Sequence, residues 1–305
     1  MAIRKISRHH SRVKAWIGYG VYTLVLLGCF LYLLFPYQDV QRWLEHQLAQ
    51  RMGIQIDAEE RKAGPFWLEW KGLRFLSGKL PWIEQLEFPW LRFDFRTRSL
   101  LGGPLQISSV MSVWEGKGEG WLVLITDSPD YQFRVVHSWD HLDLGDVHLP
   151  YIQGGTISLE LDYQWAGDAI GAGHGQGKFS GESVRVETLP IASDEVISLT
   201  LSSTTGLVTK QEGEVRLTEF QAQGEGFHLS GHGHIQDVSQ IVDSPLGGEF
   251  TVFLGAAVLK QFPQLQYLQV SLGQPIHLTL TGSLRNPSLV VNGLPVQVDT
   301  APLFN

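Results

Sequence analysis

Thr156-Ile157-Ser158-Leu159-Glu160-Leu161-Asp162-Tyr163-Gln164-Trp165 alternates without a break: Ile157, Leu159, Leu161, Tyr163 and Trp165 are apolar or aromatic, and every residue between them is polar. Successive side chains of a strand point to opposite faces, so this period of two predicts a strand with one apolar and one wet face. The same texture continues outward in both directions. Phe133 and Val135 precede it, and Val184 and Val186, Ile197, Leu199 and Leu201, Phe227 and Leu229, Phe250, Val252 and Leu254, and Ile276, Leu278 and Leu280 follow. Each predicts a half-buried strand. Gly and Pro punctuate the intervals at meander-like spacing, which predicts an antiparallel sheet in place of βαβ units. Only Gly255 to Phe262 interrupts the run with the pattern of a short helix.

Before Phe66 the period is helical. Ala15 to Phe35 holds no charged residue, and as a helix it extends about 30 Å, enough to span a bilayer. Arg4, Lys5, Arg8, Arg12 and Lys14 precede it and the first acidic residue is Asp39, so the positive-inside rule predicts a cytoplasmic N-terminus and an exported remainder. A cleaved signal peptide is the competing reading. It is disfavoured by the length of the apolar run and by its Leu33-Leu34-Phe35-Pro36 ending, which lacks small residues. Tyr37 to Met52 then spaces Val40, Trp43, Leu44, Leu48 and Met52 as one side of a helix, with Gly53 placed as its cap. This amphipathic helix packs on its own β domain or, alternatively, lies along the membrane surface. The expected organisation is a basic tail (1–14), a transmembrane helix (15–35), an amphipathic helix (36–53) and an elongated, twisted antiparallel β domain (54–305).

Composition narrows the function. The only cysteine, Cys29, lies within the apolar run, so the β domain has no internal disulfide, thiol nucleophile or thiolate metal site. The net charge of −8 argues against nucleic acid and anionic lipid headgroups as main partners. His228, His232 and His234 share a strand face and are weak candidates for a metal, because a His-x-His pair still has to borrow its other ligands. No cofactor is expected.

The Gly-x-Gly runs at Gly171 to Gly177 and Gly231 to Gly233 precede strand-like residues, which excludes the helix N-terminus that a phosphate cradle requires. Glycines there permit bulges, twist or close approach of another backbone. Two stretches read as a weak repeat of this kind, Gly173 to Gly181 and Gly224 to Ile235. Asp140, Asp143 and Asp146 with His141 and His148 read as a solvated loop. Trp67, Trp70, Trp82 and Trp90 read as core. No Ser, His and Asp stand in a nucleophile setting, so the chain is not expected to be an enzyme.

The order of local patterns resembles the type II secretion system protein N family, within the AsmA-like group of membrane-anchored periplasmic β proteins. It runs through the basic tail and anchor, Phe35-Pro36, Gly64-Pro65-Phe66, Leu73, Leu86, Leu91-Arg92-Phe93-Asp94-Phe95 and Ser99-Leu100-Leu101-Gly102-Gly103. Trp114-Glu115-Gly116-Lys117-Gly118-Glu119-Gly120 continues it, and Gly282-Ser283-Leu284-Arg285-Asn286-Pro287-Ser288-Leu289 resembles the Gly-Thr-Leu-x-x-Pro ending of the AsmA-like group, with Ser283 in place of Thr. The resemblance implies a single-pass bacterial inner-membrane protein with a periplasmic β domain, expected to be a non-enzymatic component of the type II secretion system or, alternatively, an AsmA-like lipid-transfer or outer-membrane homeostasis protein. Members of the wider group curl a sheet into an apolar groove, and a sandwich covers apolar strand faces equally well. The resemblance also implies partners: the lipid bilayer with other secretion-system proteins, or a bound lipid in a lipid-handling relative. The apolar residues expected to face that partner are Ile157, Leu159, Leu161, Tyr163, Trp165, Phe227, Leu229, Ile276, Leu278 and Leu280.

Overall fold

The architecture was obtained as a computed structural model that describes residues 6–52, 55–76, 87–96, 104–125, 131–146, 152–167, 172–187, 198–236, 243–256, 258, 273–283 and 286–296. Two helices lead the chain, α1 (Ile6–Leu34) and α2 (Tyr37–Met52). Pro36 has no N–H to continue α1, and its carbonyl instead accepts from the amides of Asp39 and Val40 as α2 begins. Asp39 lies in the first turn of α2, where a carboxylate suits the positive end of the helix dipole.

Among the described residues sixteen strands follow: β1 (Gln55–Asp57), β2 (Glu60–Gly64), β3 (Trp67–Leu76), β4 (Glu87–Phe95), β5 (Leu105–Val113), β6 (Gly116–Ile125), β7 (Gln132–Asp143), β8 (Ile152–Ala166), β9 (His174–Glu187), β10 (Ser198–Gln211), β11 (Glu214–Gly224), β12 (Phe227–Ile235), β13 (Pro245–Leu254), β14 (Ile276–Ser283), β15 (Pro287–Val291) and β16 (Leu294–Val296). From β3 onward each strand pairs antiparallel with the next, and β1 and β2 share the outer edge of β3. The result is one open meander. Period-two strands fit a sandwich and a single sheet equally, and here all sixteen belong to one sheet whose ends do not meet.

The turns explain the connectivity. Trp114-Glu115 (φ 44° and 59°), Glu212-Gly213 (51° and 82°) and Asn292-Gly293 (48° and 82°) are two-residue loops with both φ values positive. Such loops match the twist of the strands they join. Strand bulges at His141 and Glu219, each with positive φ, shift the register in β7 and β11 while keeping apolar residues on one side. A further irregularity at Ser183, also with positive φ and opposite Gly154 and Gly155, leaves the register of β9 unchanged on its two sides.

Some of the expected features fall outside the described residues: Arg4, Lys5, Gly53, Trp82, Leu86, His148, the Ser99 to Gly103 motif, and most of Gly255 to Phe262. Arg8, Arg12 and Lys14 lie on α1. Among the described residues no single helix is long and apolar enough to cross a membrane. Tyr19–Leu34 and Tyr37–Gln47, bent by 57° from one another, meet that requirement together by length and composition.

Candidate functional site

Residues directly opposite in neighbouring strands share a sheet face. Following the register from Trp70 in β3 leads through Leu91, Met111, Gly118, Trp139, Leu159 and Phe179 to Gly206 in β10. Beyond the β11 bulge it resumes at Phe220 and passes Gly231, Phe250, Leu278 and Val291 to Leu294. Phe179 and Phe220 bridge the interruption with ring centroids 6.3 Å apart, and Phe220 meets Phe250 edge-on at 6.2 Å. At about 4.8 Å per strand, this apolar row from β3 to β16 is roughly 60 Å long.

A parallel row on the same face is largely apolar, interrupted by Ser109 and His137. Phe93 lies opposite Ser109, which lies opposite Gly120, His137, Leu161, Gly177, Val208 and Leu217 in succession. All ten apolar candidates from the sequence fall on this one face: Ile157, Leu159, Leu161, Tyr163 and Trp165 on β8, Phe227 and Leu229 on β12, and Ile276, Leu278 and Leu280 on β14. Leu73, Leu142, Val252, Ile276 and Val291 on it are buried, whereas the β8 candidates are only half-buried. Three clusters form along the face: one around Trp70, Leu73 and Leu142, one joining Leu144 and Val184, and one around Val252 and Ile276.

Gly175, Gly177, Gly231 and Gly233 of the Gly-x-Gly runs lie on this same face, where several glycines make room for aromatic rings; Gly171 falls outside the described residues. A Cβ on Gly206 would meet Phe179 Cζ at 2.5 Å, one on Gly118 would meet Trp139 Cδ1 at 2.7 Å, and one on Gly248 would meet Phe250 Cε2 at 2.8 Å. Gly120 lies under His137 and Gly231 under Phe250 in the same way. Rings therefore lie flat across glycines of the adjoining strands, covering backbone that would otherwise face water. The two stretches of the weak repeat become β9 and the β11–β12 hairpin, and their strand glycines Gly175, Gly177, Gly181, Gly231 and Gly233 lie on the apolar face.

Few polar groups interrupt it. Ser109, Thr204 and His137 are buried there. His137 stacks on Trp139 with centroids 4.0 Å apart, its Nδ1 lies 3.1 Å from the Ser138 carbonyl, and its Nε2 has no hydrogen-bond partner among the described residues. Burial pushes the His137 pKa down, opposed by the weaker hydrogen bond to Ser138. Lys210, at the end of β10, donates from Nζ to Tyr163 Oη at 2.7 Å and to the Gly173 carbonyl at 3.1 Å.

The opposite face is polar and ion-paired. Arg134 forks onto Asp162 (2.9 and 2.6 Å), Arg92 holds Asp94 and approaches Glu69, and Glu60 lies between Lys62 and Lys71. Hydrogen bonds from these two lysines lower the Glu60 pKa to about 2, and the Arg134 guanidinium lowers that of Asp162. His228, His232 and His234 belong to this face, opposite Phe253, Glu249 and Gly247 of β13. Among the described residues no group of three or more His, Cys, Asp and Glu side chains could hold a metal ion. Asp140, His141 and Asp143, expected in a solvated loop, fall on β7: Asp140 lies opposite Lys117, and Asp143, the last residue of the strand, accepts through Oδ1 from the Gly145 amide of the following turn. Trp67 carries Arg92 over its ring at 5.1 Å and lies opposite Asp94, so of the expected core tryptophans that are described Trp70 alone is buried.

At its first strands the apolar face is covered by α2. Leu44 packs against the Trp70 cluster. Glu45 Oε1 accepts from Trp70 Nε1 at 2.7 Å and from Arg61 Nε at 3.1 Å, and Gln41 Nε2 donates to the Glu69 carbonyl at 3.3 Å. Val40 and Trp43 point outward and are exposed. Register, the seating of rings on glycine and the Glu45 contact were not predicted from sequence. The Asn292-Gly293 pair was a readable hairpin signal. The fold defines an open antiparallel meander with one apolar and one ion-paired face. Comparison with family models, curated proteins and solved structures finds no match.

Proposed function

We propose that the protein is a non-enzymatic, membrane-anchored lipid-handling component of the bacterial envelope, in which the apolar face of a curled, twisted sheet lines a groove for acyl chains. The observation that carries this is the row from Trp70 to Leu294, on which polar and charged side chains are absent and over which no second sheet is laid among the described residues. An apolar surface this long is costly to leave in water, since each 100 Å² of it is worth about 2.5 kcal/mol. In the proposed arrangement the apolar stretch 15–35, whose described part Tyr19–Leu34 meets the requirement of a span only together with Tyr37–Gln47, anchors the chain in the inner membrane with Arg4, Lys5, Arg8, Arg12 and Lys14 in the cytoplasm. Its exposed Leu24, Leu33 and Leu34 would meet lipid, and the sheet would stand in the periplasm. Native mass spectrometry of the detergent-extracted protein tests this: lipid adducts are expected, and a lipid-free protein with a structure showing the apolar face covered would refute it.

A second reading, a component of the type II secretion apparatus acting through protein contacts, draws on the order of motifs and on the outer edge of β16. That edge pairs with no strand among the described residues and is a template for adding a partner's strand. Deleting the gene separates the two readings. Loss of type II substrate export supports the second, and normal export with altered outer-membrane lipid supports the first.

A further inference from the structure

Between α2 and the sheet is a cavity of about 230 Å³, lined by Leu44, Glu45, Ile56, Trp70, Leu73, Phe75, Leu91 and Phe93. The surface it presents is entirely apolar. We propose that this cavity is a binding seat for the terminal methylenes of one acyl chain, drawn from the bilayer and lying along the apolar row, with α2 closing that end of the track. The proposal rests on the lipid-handling function above and adds where the chain ends.

Four observations select this occupant. Trp70 and Leu91 are at once lining residues and the first two members of the row, so the cavity continues the track. At about 30 Å³ per heavy atom it holds roughly eight atoms, the size of a chain end and too small for a folded partner. Its polar wall atoms are engaged with each other, since the Glu45 carboxylate accepts from Trp70 Nε1 and Arg61 Nε. That leaves a headgroup or a water cluster nothing to bond, and an apolar cavity of this kind takes apolar guests. Finally, only Phe35 and Pro36 separate α2 from α1, which places the seat beside the segment assigned to the bilayer. α2 is held to the sheet by side-chain contacts and contributes no strand, so a chain can enter by displacing it while the β ladder stays intact.

The test uses the full-length protein in phospholipid vesicles containing a phosphatidylethanolamine whose acyl chain carries a terminal diazirine. After photolysis, adducts are mapped by peptide mass spectrometry. Adducts are expected on Leu44, Ile56 or Phe75, and Leu44→Trp, which fills the cavity, should reduce them by about tenfold, the effect of displacing a few methylenes from an apolar seat. Ile56→Phe fills it from the opposite wall and replaces Leu44→Trp should that variant not fold. Adducts confined to β8–β14, or undiminished in the filled variants, overturn the seat and leave the lipid-handling function standing. A protein that gains no adduct anywhere on the sheet refutes that function, and the seat with it.

Discussion

The two faces of the sheet are built from the same strands and hydrogen bonds, yet they are organised differently. On the apolar face, contacts run across strands: Phe179 lies over Gly206, Phe220 meets Phe250, and Trp139 lies over Gly118. On the polar face they are ion pairs, some within one strand, such as Arg92 with Asp94, and some between adjacent strands, such as Arg134 with Asp162. Packed rings couple adjacent and next-but-one strands through dispersion and exclusion of water, whereas half-exposed ion pairs are screened and pay side-chain entropy. Stability and the proposed ligand track should therefore both reside on the apolar face, with the polar face contributing solubility and register.

That asymmetry predicts a ranked series of effects. Leu73 is 1 % exposed, and Leu73→Ala should cost about 2–5 kcal/mol in denaturant unfolding through lost burial and the cavity left behind. Gly206→Ala is next: the new methyl would meet Phe179 Cζ at 2.5 Å, so a loss of about 1–3 kcal/mol is expected from displacing the ring. Glu45→Gln keeps the shape of the α2 contact and removes its charge. It should cost about 1–2 kcal/mol, with faster proteolysis of α2 as the local readout. Arg134→Ala on the polar face should change stability by no more than about 1 kcal/mol, and that small effect should fade at high salt.

Acid sharpens the same contrast. His137 has its pKa lowered in the fold by burial, so the unfolded chain binds the proton more readily and stability should fall as the pH drops below the unfolded value of 6.5. Asp162 is also lowered, by Arg134. Its contribution is present above its unfolded value of 3.8 and is lost as the pH falls through the lower folded value. His137→Phe should remove the first phase in a urea titration across pH and leave the second.

Alternation in Thr156 to Trp165 was enough to assign β8 and its two faces, because the period is local. The same reasoning placed Phe227, Leu229, Ile276, Leu278 and Leu280, and the register shows that they share the face of Ile157. What the sequence could not show was that sharing itself. It depends on bulges at His141 and Glu219, each of which shifts the register by one residue and looks ordinary in the chain. The Gly-x-Gly runs were recognised as strand glycines, but a ring supplied by a neighbouring strand is invisible without pairing. Trp67 was assigned to the core from crowding alone, and its odd spacing from Trp70 places it on the other face.

The central claim, that the apolar face and not the sheet as a whole carries lipid, is tested most directly by two neighbouring substitutions on β14. Leu278 lies on the apolar row between Phe250 and Val291, and Thr279 lies on the polar face opposite Glu249 and Val290. Phospholipid bound per protein would be measured for the wild type, Leu278→Asp and Thr279→Asp after extraction in the same detergent. The account predicts that wild type and Thr279→Asp retain lipid while Leu278→Asp loses most of it with its strand content unchanged; equal loading of both variants would contradict it.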